Sequence, residues 1–362
     1  MTRNGAICRF SPHPHPPFFM IRRPDPVPLR PAGLAAALAQ GSRRALARAI
    51  TLAESTRPEH RALVEQALRL APPPAVPAVR VAVSGPPGAG KSTFIEALGC
   101  TVRAAGRRPA VLAVDPSSPE GGGAILGDKT RMDRLAADPG AFVRPSPSAL
   151  ATGGMSPGTG AAVRLCEAAG FDVILVETVG VGQGETAAAE LADLFILLLS
   201  PGAGDELQGL KRGIVELADM VVINKADGDM APLARRMAAD YAGALRLLGA
   251  TRPGGELPPP VMTCSAWAGD GVEAVWRVLE TRHRELAAGK GLPARRAARA
   301  ARGLWRETVE ELFRGLQADA GLRRRFRRLE KLLRAGRLDS TAAARNLARH
   351  IMKAGGPGRG LS

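Results

Sequence analysis

A glycine-rich loop constrains this chain more than any other feature. Residues 85–92 read Gly-Pro-Pro-Gly-Ala-Gly-Lys-Ser and match the phosphate-loop pattern G-x-x-x-x-G-K-[ST] at every fixed position. The run Val79 to Val83, apolar except for one arginine, predicts a buried strand before the loop, and Ser92 to Cys100 predicts a helix after it. Such a turn aims several backbone N–H groups and a helix N-terminus at one anion. The pattern therefore predicts a nucleotide site.

The same motif assigns individual roles. Lys91 is expected to reach the β and γ phosphates as a catalytic residue, and the Ser92 hydroxyl is expected to ligate Mg²⁺. A glycine-rich turn that binds nothing is the alternative, but all fixed positions are present between a predicted strand and helix. The remaining predicted nucleotide-binding residues of the loop are Gly85, Pro86, Pro87, Gly88, Ala89, Gly90 and Thr93.

Predicted strands and helices alternate along the rest of the central region. Strands are expected over residues 109–114, 172–176, 194–199, 220–223 and 260–264, and helices over 207–218, 231–248 and 272–286. This order predicts an α/β fold of the P-loop NTPase type, with a mostly parallel sheet covered by helices on both faces. Ligands of such sheets bind beyond the carboxyl ends of the strands.

The tetrapeptide Asn224-Lys225-Ala226-Asp227 matches N-K-x-D and follows a predicted strand directly. Its aspartate would accept two hydrogen bonds from guanine, whereas adenine would leave that carboxylate unpaired. The predicted nucleotide is therefore GTP or GDP, with Asn224, Lys225 and Asp227 as base contacts. Residues 264–266, Cys264-Ser265-Ala266, resemble, more weakly, a segment that supports the guanine O6 with a main-chain N–H, and Ser265 and Ala266 are its predicted nucleotide-binding residues.

Three acidic residues are candidate Mg²⁺ ligands besides Ser92. Asp115 and Glu177 end two predicted strands, and Asp128 lies in a glycine-rich loop. Mg²⁺ prefers oxygen ligands, although all three could instead be solvated loop acids. Glu177 is also a catalytic candidate because of its place beside the γ-phosphate.

Water attack on a γ-phosphate needs a group that positions the water. Ras-like enzymes place a glutamine directly after the glycine of the DxxG motif, but here Val181 follows Gly180. Gln183 is the next candidate. We therefore expect slow intrinsic hydrolysis that a partner or a dimer-mate accelerates.

Composition limits the remaining functions. The net charge is +16, but residues 81–280 carry 17 Lys and Arg against 23 Asp and Glu, and residues 281–362 carry 21 against 7. Aromatic residues make up only 4% of the chain, which counts against nucleic-acid binding because such sites stack bases on aromatic side chains. No apolar run reaches the roughly 18 residues of a membrane span. The four cysteines lack C-x-x-C spacing and fit a reducing compartment, the cytoplasm or a mitochondrial matrix.

Five segments are expected along the chain. A proline-rich, disordered extension (1–31) precedes a helical cap (32–76), a GTPase domain (77–290), a helical arm (291–352) and a disordered tail (353–362). In the arm, Trp305, Val309, Leu312 and Leu316 form an apolar stripe at helical spacing.

Longer strings resemble one family. Residues 114–119, 123–132, 176–183 and 200–209 resemble the MeaB/ArgK family of GTPases associated with methylmalonyl-CoA mutase, and the likeness covers residues 33–290. It implies a dimeric G protein that helps an adenosylcobalamin-dependent acyl-CoA mutase in cofactor loading, protection and reactivation.

By position, the resemblance makes Asp115, Asp128 and Glu177 the magnesium-side acids. It also makes residues 200–211 a further switch and the apolar stripe part of a dimerisation arm, although the stripe could instead fold back on its own core. A nickel metallochaperone, a kinase of transport proteins and a non-catalytic binding protein are the alternatives. The sequence has no Cys and His cluster, which counts against the metallochaperone. The guanine motif counts against the kinase, and the intact Lys91 and Ser92 count against a non-catalytic protein.

Overall fold

A seven-stranded parallel sheet forms the centre of the computed structural model. The structure describes residues 30–55, 57–115, 132–147, 158–178, 184–202, 212–249, 258–289 and 291–354. The strand order is β3-β2-β4-β1-β5-β6-β7, and each neighbouring pair is parallel. The strands are β1 (Val79–Ser84), β2 (Pro109–Asp115), β3 (Phe142–Pro147), β4 (Val173–Glu177), β5 (Leu194–Leu199), β6 (Met220–Ile223) and β7 (Val261–Thr263).

Helices cover both faces of this sheet. Side chains alternate between faces along a strand, so Phe195, Leu197 and Leu199 of β5 enter one apolar core and the residues between them enter the other. This arrangement confirms the predicted fold class. The described helices are α1 (Pro31–Ala39), α2 (Arg43–Ala53), α3 (Pro58–Leu70), α4 (Lys91–Ala104), α5 (Asp133–Ala137), α6 (Thr159–Ala168), α7 (Gly184–Leu191), α8 (Arg212–Leu217), α9 (Ala231–Gly249), α10 (Val272–Ala288), α11 (Gly291–Ala318), α12 (Ala320–Arg334) and α13 (Ser340–Ala354).

The two cores have different helical covers. Helices α1, α2, α3, α6, α7 and α9 contribute to the core on the first face, whereas α4, α5 and α10 contribute to the second. Ser42 caps the amino end of α2, because its hydroxyl accepts a hydrogen bond from the Ala45 N–H at 3.2 Å. Prolines occupy the first turns of α1 and α3, where a missing N–H costs nothing.

The buried strands lie close to where the sequence predicts them. Two of them, 194–199 and 220–223, have the predicted bounds, and β7 is shorter by one residue at each end. Strand β3 was not predicted, because Arg144, Pro145 and Pro147 oppose a strand assignment. Among the described strands it lies at the edge of the sheet and pairs with β2 alone, so its prolines need no second partner there. The predicted helix over 207–218 is described from Arg212 onwards.

The first half of α11 is fixed to the sheet by an arginine anchor, which we define as Arg295, Arg296 and Arg299 with Asp193 and Asp219. Asp193 and Asp219 immediately precede β5 and β6. Arg296 binds the fully buried Asp193 carboxylate through two hydrogen bonds of 2.7 Å. Arg295 and Arg299 both bind the Asp219 carboxylate. The anchor thus lies at the amino ends of the strands, opposite the edge where a nucleotide is expected.

Beyond the anchor, α11 carries the predicted apolar stripe. Trp305, Val309 and Leu312 are 77%, 42% and 64% exposed, so these three do not fold back on the core. Helices α12 and α13 contact each other and carry no buried residue except Ala343. Within the described ranges, every helix is too short or too polar to cross a bilayer.

Candidate functional site

The phosphate loop connects the central strand β1 to α4, and its geometry requires glycine at two positions. Gly85 has a φ of +153°, and a Cβ there would lie 1.9 Å from the Leu198 carbonyl oxygen of β5. A Cβ on Gly90 would lie 2.7 Å from the Asn224 side-chain nitrogen, and its φ is +85°. The backbone of β5 therefore leaves no room for a side chain at Gly85, and the Asn224 side chain leaves none at Gly90. Two glycines of the phosphate-loop pattern are thus required by the backbone of this turn.

Lys91 lies across this loop. Its Nζ donates hydrogen bonds to the carbonyl oxygens of Gly85 at 2.9 Å and Pro86 at 3.1 Å. Burial lowers the pKa of Lys91, while the carboxylates of Glu177 and Glu185 act in the opposite direction. The ammonium group is thus held at the loop backbone, next to the place where phosphate oxygens would enter.

Ser92 and Glu177 meet although 85 residues separate them. The Ser92 hydroxyl donates to the Glu177 Oε1 at 2.6 Å. Strand pairing produces this contact, because β4 lies beside β1 and Val83 is in register with Glu177. A hydroxyl and a largely buried carboxylate are oxygen donors of the kind that Mg²⁺ prefers, so this pair fits the predicted ion.

The other candidates of the catalytic and metal set are less completely described. The backbone of Asp115 ends β2, on the far side of β4 from β1. Asp128 and Gln183 lie outside the described residues, as do residues 203–211 of the predicted further switch. Within the described ranges no group of three or more His, Cys, Asp or Glu residues could hold a metal ion.

Asn224 connects the phosphate loop to the two segments that are predicted to contact the base. Its buried side chain donates to the Ala89 carbonyl oxygen at 2.9 Å and accepts from the Ala266 N–H at 3.0 Å. Its Oδ1 also accepts a hydrogen bond from the Cys264 thiol, with a sulfur–oxygen distance of 3.6 Å. The predicted base contact is therefore also the residue that sets the distance between three loops.

Lys225 and Asp227 are exposed beside this junction. Lys225 is the one described non-glycine residue with a positive φ, of 58°, a conformation that side chains rarely adopt and that is concentrated at functional sites. Its stem lies next to Gly90. Asp227 comes directly before a short 3₁₀ turn, Gly228–Met230. Both side chains are free to meet a base arriving over the loop.

Ser265 and Ala266 are buried, and their main-chain N–H groups have protein partners. The Ser265 N–H donates to the Asp270 carbonyl oxygen at 2.9 Å, and that of Ala266 donates to Asn224. Their predicted contact with the guanine O6 would require the Ala266 N–H to be shared or released, so it stays a prediction.

Sequence reasoning missed one residue of this neighbourhood and one side-chain contact. Glu185, in the first turn of α7, is only 3% exposed and its charge acts on Lys91. The proximity of Glu185 to Gln183 in the chain was the available signal for it. Cys264 belongs to the predicted guanine O6 segment, but that prediction concerned a main-chain N–H. Its thiol contacts Asn224, and burial raises the pKa of that thiol to about 12.

Comparison with known proteins decides the family. Residues 46–320 match the model of the methylmalonyl-CoA mutase-associated GTPase MeaB, and they include the phosphate loop, Glu177 and Asn224. The chain belongs to the MeaB family. It is a GTPase that binds guanine nucleotides, which confirms the resemblance, the predicted enzyme class and the predicted nucleotide.

Relatives of this MeaB-family chain extend over most of its length. A protein of Caulobacter vibrioides named as a GTPase is 49% identical over 314 residues, covering 86% of this chain and 94% of that protein. The mouse mitochondrial methylmalonic aciduria type A homologue is 44% identical over 320 residues, covering 85% of this chain and 76% of that protein. A crystal structure described as an LAO/AO transport system kinase superposes with a TM-score of 0.64 at 36% identity, covering 89% and 97%.

Proposed function

We propose that this MeaB-family GTPase is a chaperone for an adenosylcobalamin-dependent acyl-CoA mutase, with methylmalonyl-CoA mutase as the first candidate. It would assist the mutase in cofactor loading, protection and reactivation, in the cytoplasm or, in a eukaryote, in the mitochondrial matrix. One observation carries the proposal: the match to a mutase-associated family spans residues 46–320 and contains a phosphate loop whose Lys91, Ser92 and Asn224 contacts are intact.

In this proposal one group of residues binds the phosphates of GTP, a second binds the guanine, and Asn224 holds the two groups in place. The backbone of residues 85–93 and the Lys91 ammonium bind the phosphates, and Lys225 and Asp227 read the guanine. Lys91 would move from the loop carbonyls to the phosphate oxygens, so nucleotide binding replaces one set of partners with another. Asn224 holds the base-binding and phosphate-binding loops together.

Magnesium would be held by Ser92 and Glu177, with Asp115 and Asp128 as further acids. When bound, Mg²⁺ supplies positive charge that neutralises the phosphate oxygens. Glu177 and Gln183 are the proposed catalytic residues on the γ-phosphate side. Since Val181 stands where a water-positioning glutamine is usual, hydrolysis by the isolated protein is expected to be slow and to be stimulated by the partner.

A homodimer is the second part of the proposal, with the apolar stripe of α11 meeting a second copy. Trp305 and Leu312 are more than half exposed, and large exposed apolar side chains at helical spacing are typical of a helix that lacks its partner. Sedimentation should give the mass of a dimer, and Trp305→Glu should give a monomer that still binds GDP. A wild-type monomer would refute this part alone.

The main test is capture of a mutase. The immobilised full chain is incubated with an adenosylcobalamin-dependent acyl-CoA mutase in the presence of GDP, a non-hydrolysable GTP analogue or no nucleotide. The proposal predicts that nucleotide state changes retention. Asp227→Ala should lose that dependence on guanine nucleotides, whereas Asp229→Ala, an exposed acid two residues away, should keep it. Equal retention in all three conditions would contradict the mutase partnership.

The kinase alternative is separated by following the γ-phosphate. The related crystal structure described as a transport system kinase makes this comparison necessary. With radiolabelled GTP, a chaperone GTPase releases inorganic phosphate, and Lys91→Ala abolishes the release. Stable transfer of the label to a protein acceptor would favour the kinase.

A further inference from the structure

A second cavity lies away from the phosphate loop. Its volume is about 620 Å³, and it is bounded by α3, α6, α7 and residues 296–311 of α11. Among the described residues that line it, none belongs to the phosphate loop or to the segment 224–227. This volume falls within the range of roughly 300 to 1,000 Å³ that is usual for small-molecule sites.

The lining is rich in charge. Six arginines and four glutamates border the cavity, together with apolar side chains such as Val64, Leu68 and Leu191. Three of the four glutamates are in ion pairs with lining arginines, through Arg61–Glu311, Arg306–Glu190 and Arg306–Glu307. The arginines are Arg61, Arg80, Arg164, Arg296, Arg299 and Arg306.

Four of these arginines already form ion pairs with carboxylates of the protein. Arg296 and Arg299 belong to the arginine anchor, Arg80 binds Glu167 at 2.7 Å, and Arg306 binds Glu190 at 2.8 Å. Their charges are matched by buried or partly buried carboxylates, so they build the walls of the cavity. Whatever the cavity binds must be recognised by the other two.

Arg61 and Arg164 have unused hydrogen-bonding capacity. Arg61 donates from Nη2 to Glu311 at 2.8 Å, but its Nη1 is buried and has no hydrogen-bond partner among the described residues. Arg164 lines the cavity, is exposed, and makes no ion pair with any residue that the structure describes. A buried donor without a partner costs free energy, and native structures rarely keep one unless a further group satisfies it.

The remaining carboxylate of the lining does not oppose an anion strongly. Glu65 lies on α3 one turn after Arg61 and is exposed, where water and salt screen its charge. The unpaired donors therefore face a cavity in which the acids are either neutralised or screened. Guanidinium groups bind phosphate and carboxylate oxygens through charge-assisted hydrogen bonds.

We infer that this cavity is a binding site for a small organic anion that carries a phosphate or carboxylate group. Arg61 Nη1 and Arg164 bind the anionic group, and the apolar body lies on Val64, Leu68 and Leu191. Because residues of both α3 and α11 line the cavity, the bound anion would contact the N-terminal helices and the arm together. The site is distinct from the GTP site and does not depend on the identity of a mutase.

The test uses the full chain with Mg²⁺ and an excess of a non-hydrolysable GTP analogue, so that the phosphate positions of the nucleotide site are filled. Inorganic phosphate and citrate are titrated separately at constant ionic strength, which distinguishes the two anionic groups. Hydrogen–deuterium exchange is followed in peptides from α3, α6 and α11. Protection of these peptides by at least one of the anions is expected.

Two variants make the test specific. Arg164→Gln should weaken the protection by roughly tenfold in anion concentration, since it removes a charge-assisted hydrogen bond. A lysine at position 61 can still pair with Glu311 but has no second nitrogen to offer the anion. Arg61→Lys should therefore also raise the anion concentration needed for protection. Arg236→Gln, on α9, is the matched control, because Arg236 is also exposed and makes no ion pair with a described residue.

Three outcomes would overturn the inference. The first is that neither anion protects these peptides, and the second is that both arginine variants respond like Arg236→Gln. The third is protection of α3 and α6 that rises with protein concentration without added anion and that persists in Trp305→Glu, the variant in which the proposed α11 dimer is broken. That result would make the cavity an interface between two copies of the chain.

Discussion

The arginine anchor should dominate the stability of the region where α11 meets the sheet. Arg296 gives the fully buried Asp193 two hydrogen bonds of 2.7 Å, and the Arg80 N–H donates a third at 3.1 Å. Burial alone would raise the pKa of Asp193, but the hydrogen bonds and charge of Arg296 lower it to about 2, against a usual 3.8. That difference corresponds to about 2 kcal/mol of stability.

Removing Arg296 should cost more than this, because a buried carboxylate then loses its counterion. Arg296→Met is expected to lower the free energy of unfolding at pH 7 by about 3 to 5 kcal/mol. Asp193→Asn combined with Arg296→Met should cost less than the sum of the single changes. Since the pKa of Asp193 is lowered in the folded state, its contribution is complete above about pH 4 and is lost as the pH falls towards 2.

Urea unfolding of the full chain, followed by circular dichroism at pH 7 and at lower pH, measures these changes. The control is Arg277→Met, which breaks an exposed pair with Glu273 on α10 and should cost less than about 1 kcal/mol. If Arg296→Met and Arg277→Met shift the midpoint equally, the buried pair does not stabilise the protein as argued. Additive double-mutant energies would lead to the same conclusion.

Three further changes test the site and the helical cap. Gly85→Ala places a methyl group 1.9 Å from the Leu198 carbonyl oxygen, so titration with a fluorescent GDP analogue should show binding weakened by at least about tenfold. Asn224→Ala should weaken the binding of GTP and of ATP by the same factor in competition titrations, because Asn224 positions the loops. A loss confined to GTP binding would mean that Asn224 mainly contacts the base. Ser42→Ala removes the cap on the Ala45 N–H and should cost about 1 kcal/mol in urea unfolding, and an unchanged midpoint would contradict that role.

The sequence predicts those parts of the fold whose signals are local. The run Leu194–Leu199 is apolar throughout because both faces of β5 are buried, and its bounds are found without error. The edge strand β3 escapes the same reasoning, since one of its sides needs no partner and tolerates Pro145 and Pro147. Apolar runs therefore reveal strands in the middle of the sheet better than strands at its edge.

The candidate site is predictable where a contiguous motif or a strand end marks it. Residues 85–92 and 224–227 carry their geometry in short strings, and the meeting of Ser92 with Glu177 follows from two strand ends in a parallel sheet. The arginine anchor could not be predicted in this way. Arg296 lies 103 residues after Asp193, and arginines are so frequent in the arm that none stands out as a buried partner.

The position of the arginine anchor determines where this protein can be cut. The predicted boundary at residue 290 follows sequence pattern, but a chain that ended there would leave the buried Asp193 and the partly buried Asp219 without Arg295, Arg296 and Arg299. Proteolysis or truncation just before α11 should therefore release an insoluble fragment instead of a smaller working enzyme. The shortest chain expected to fold would extend past residue 306, because Arg306 also pairs with Glu190. The single helix α11 would then belong to the GTPase domain at its start and project from that domain at its end.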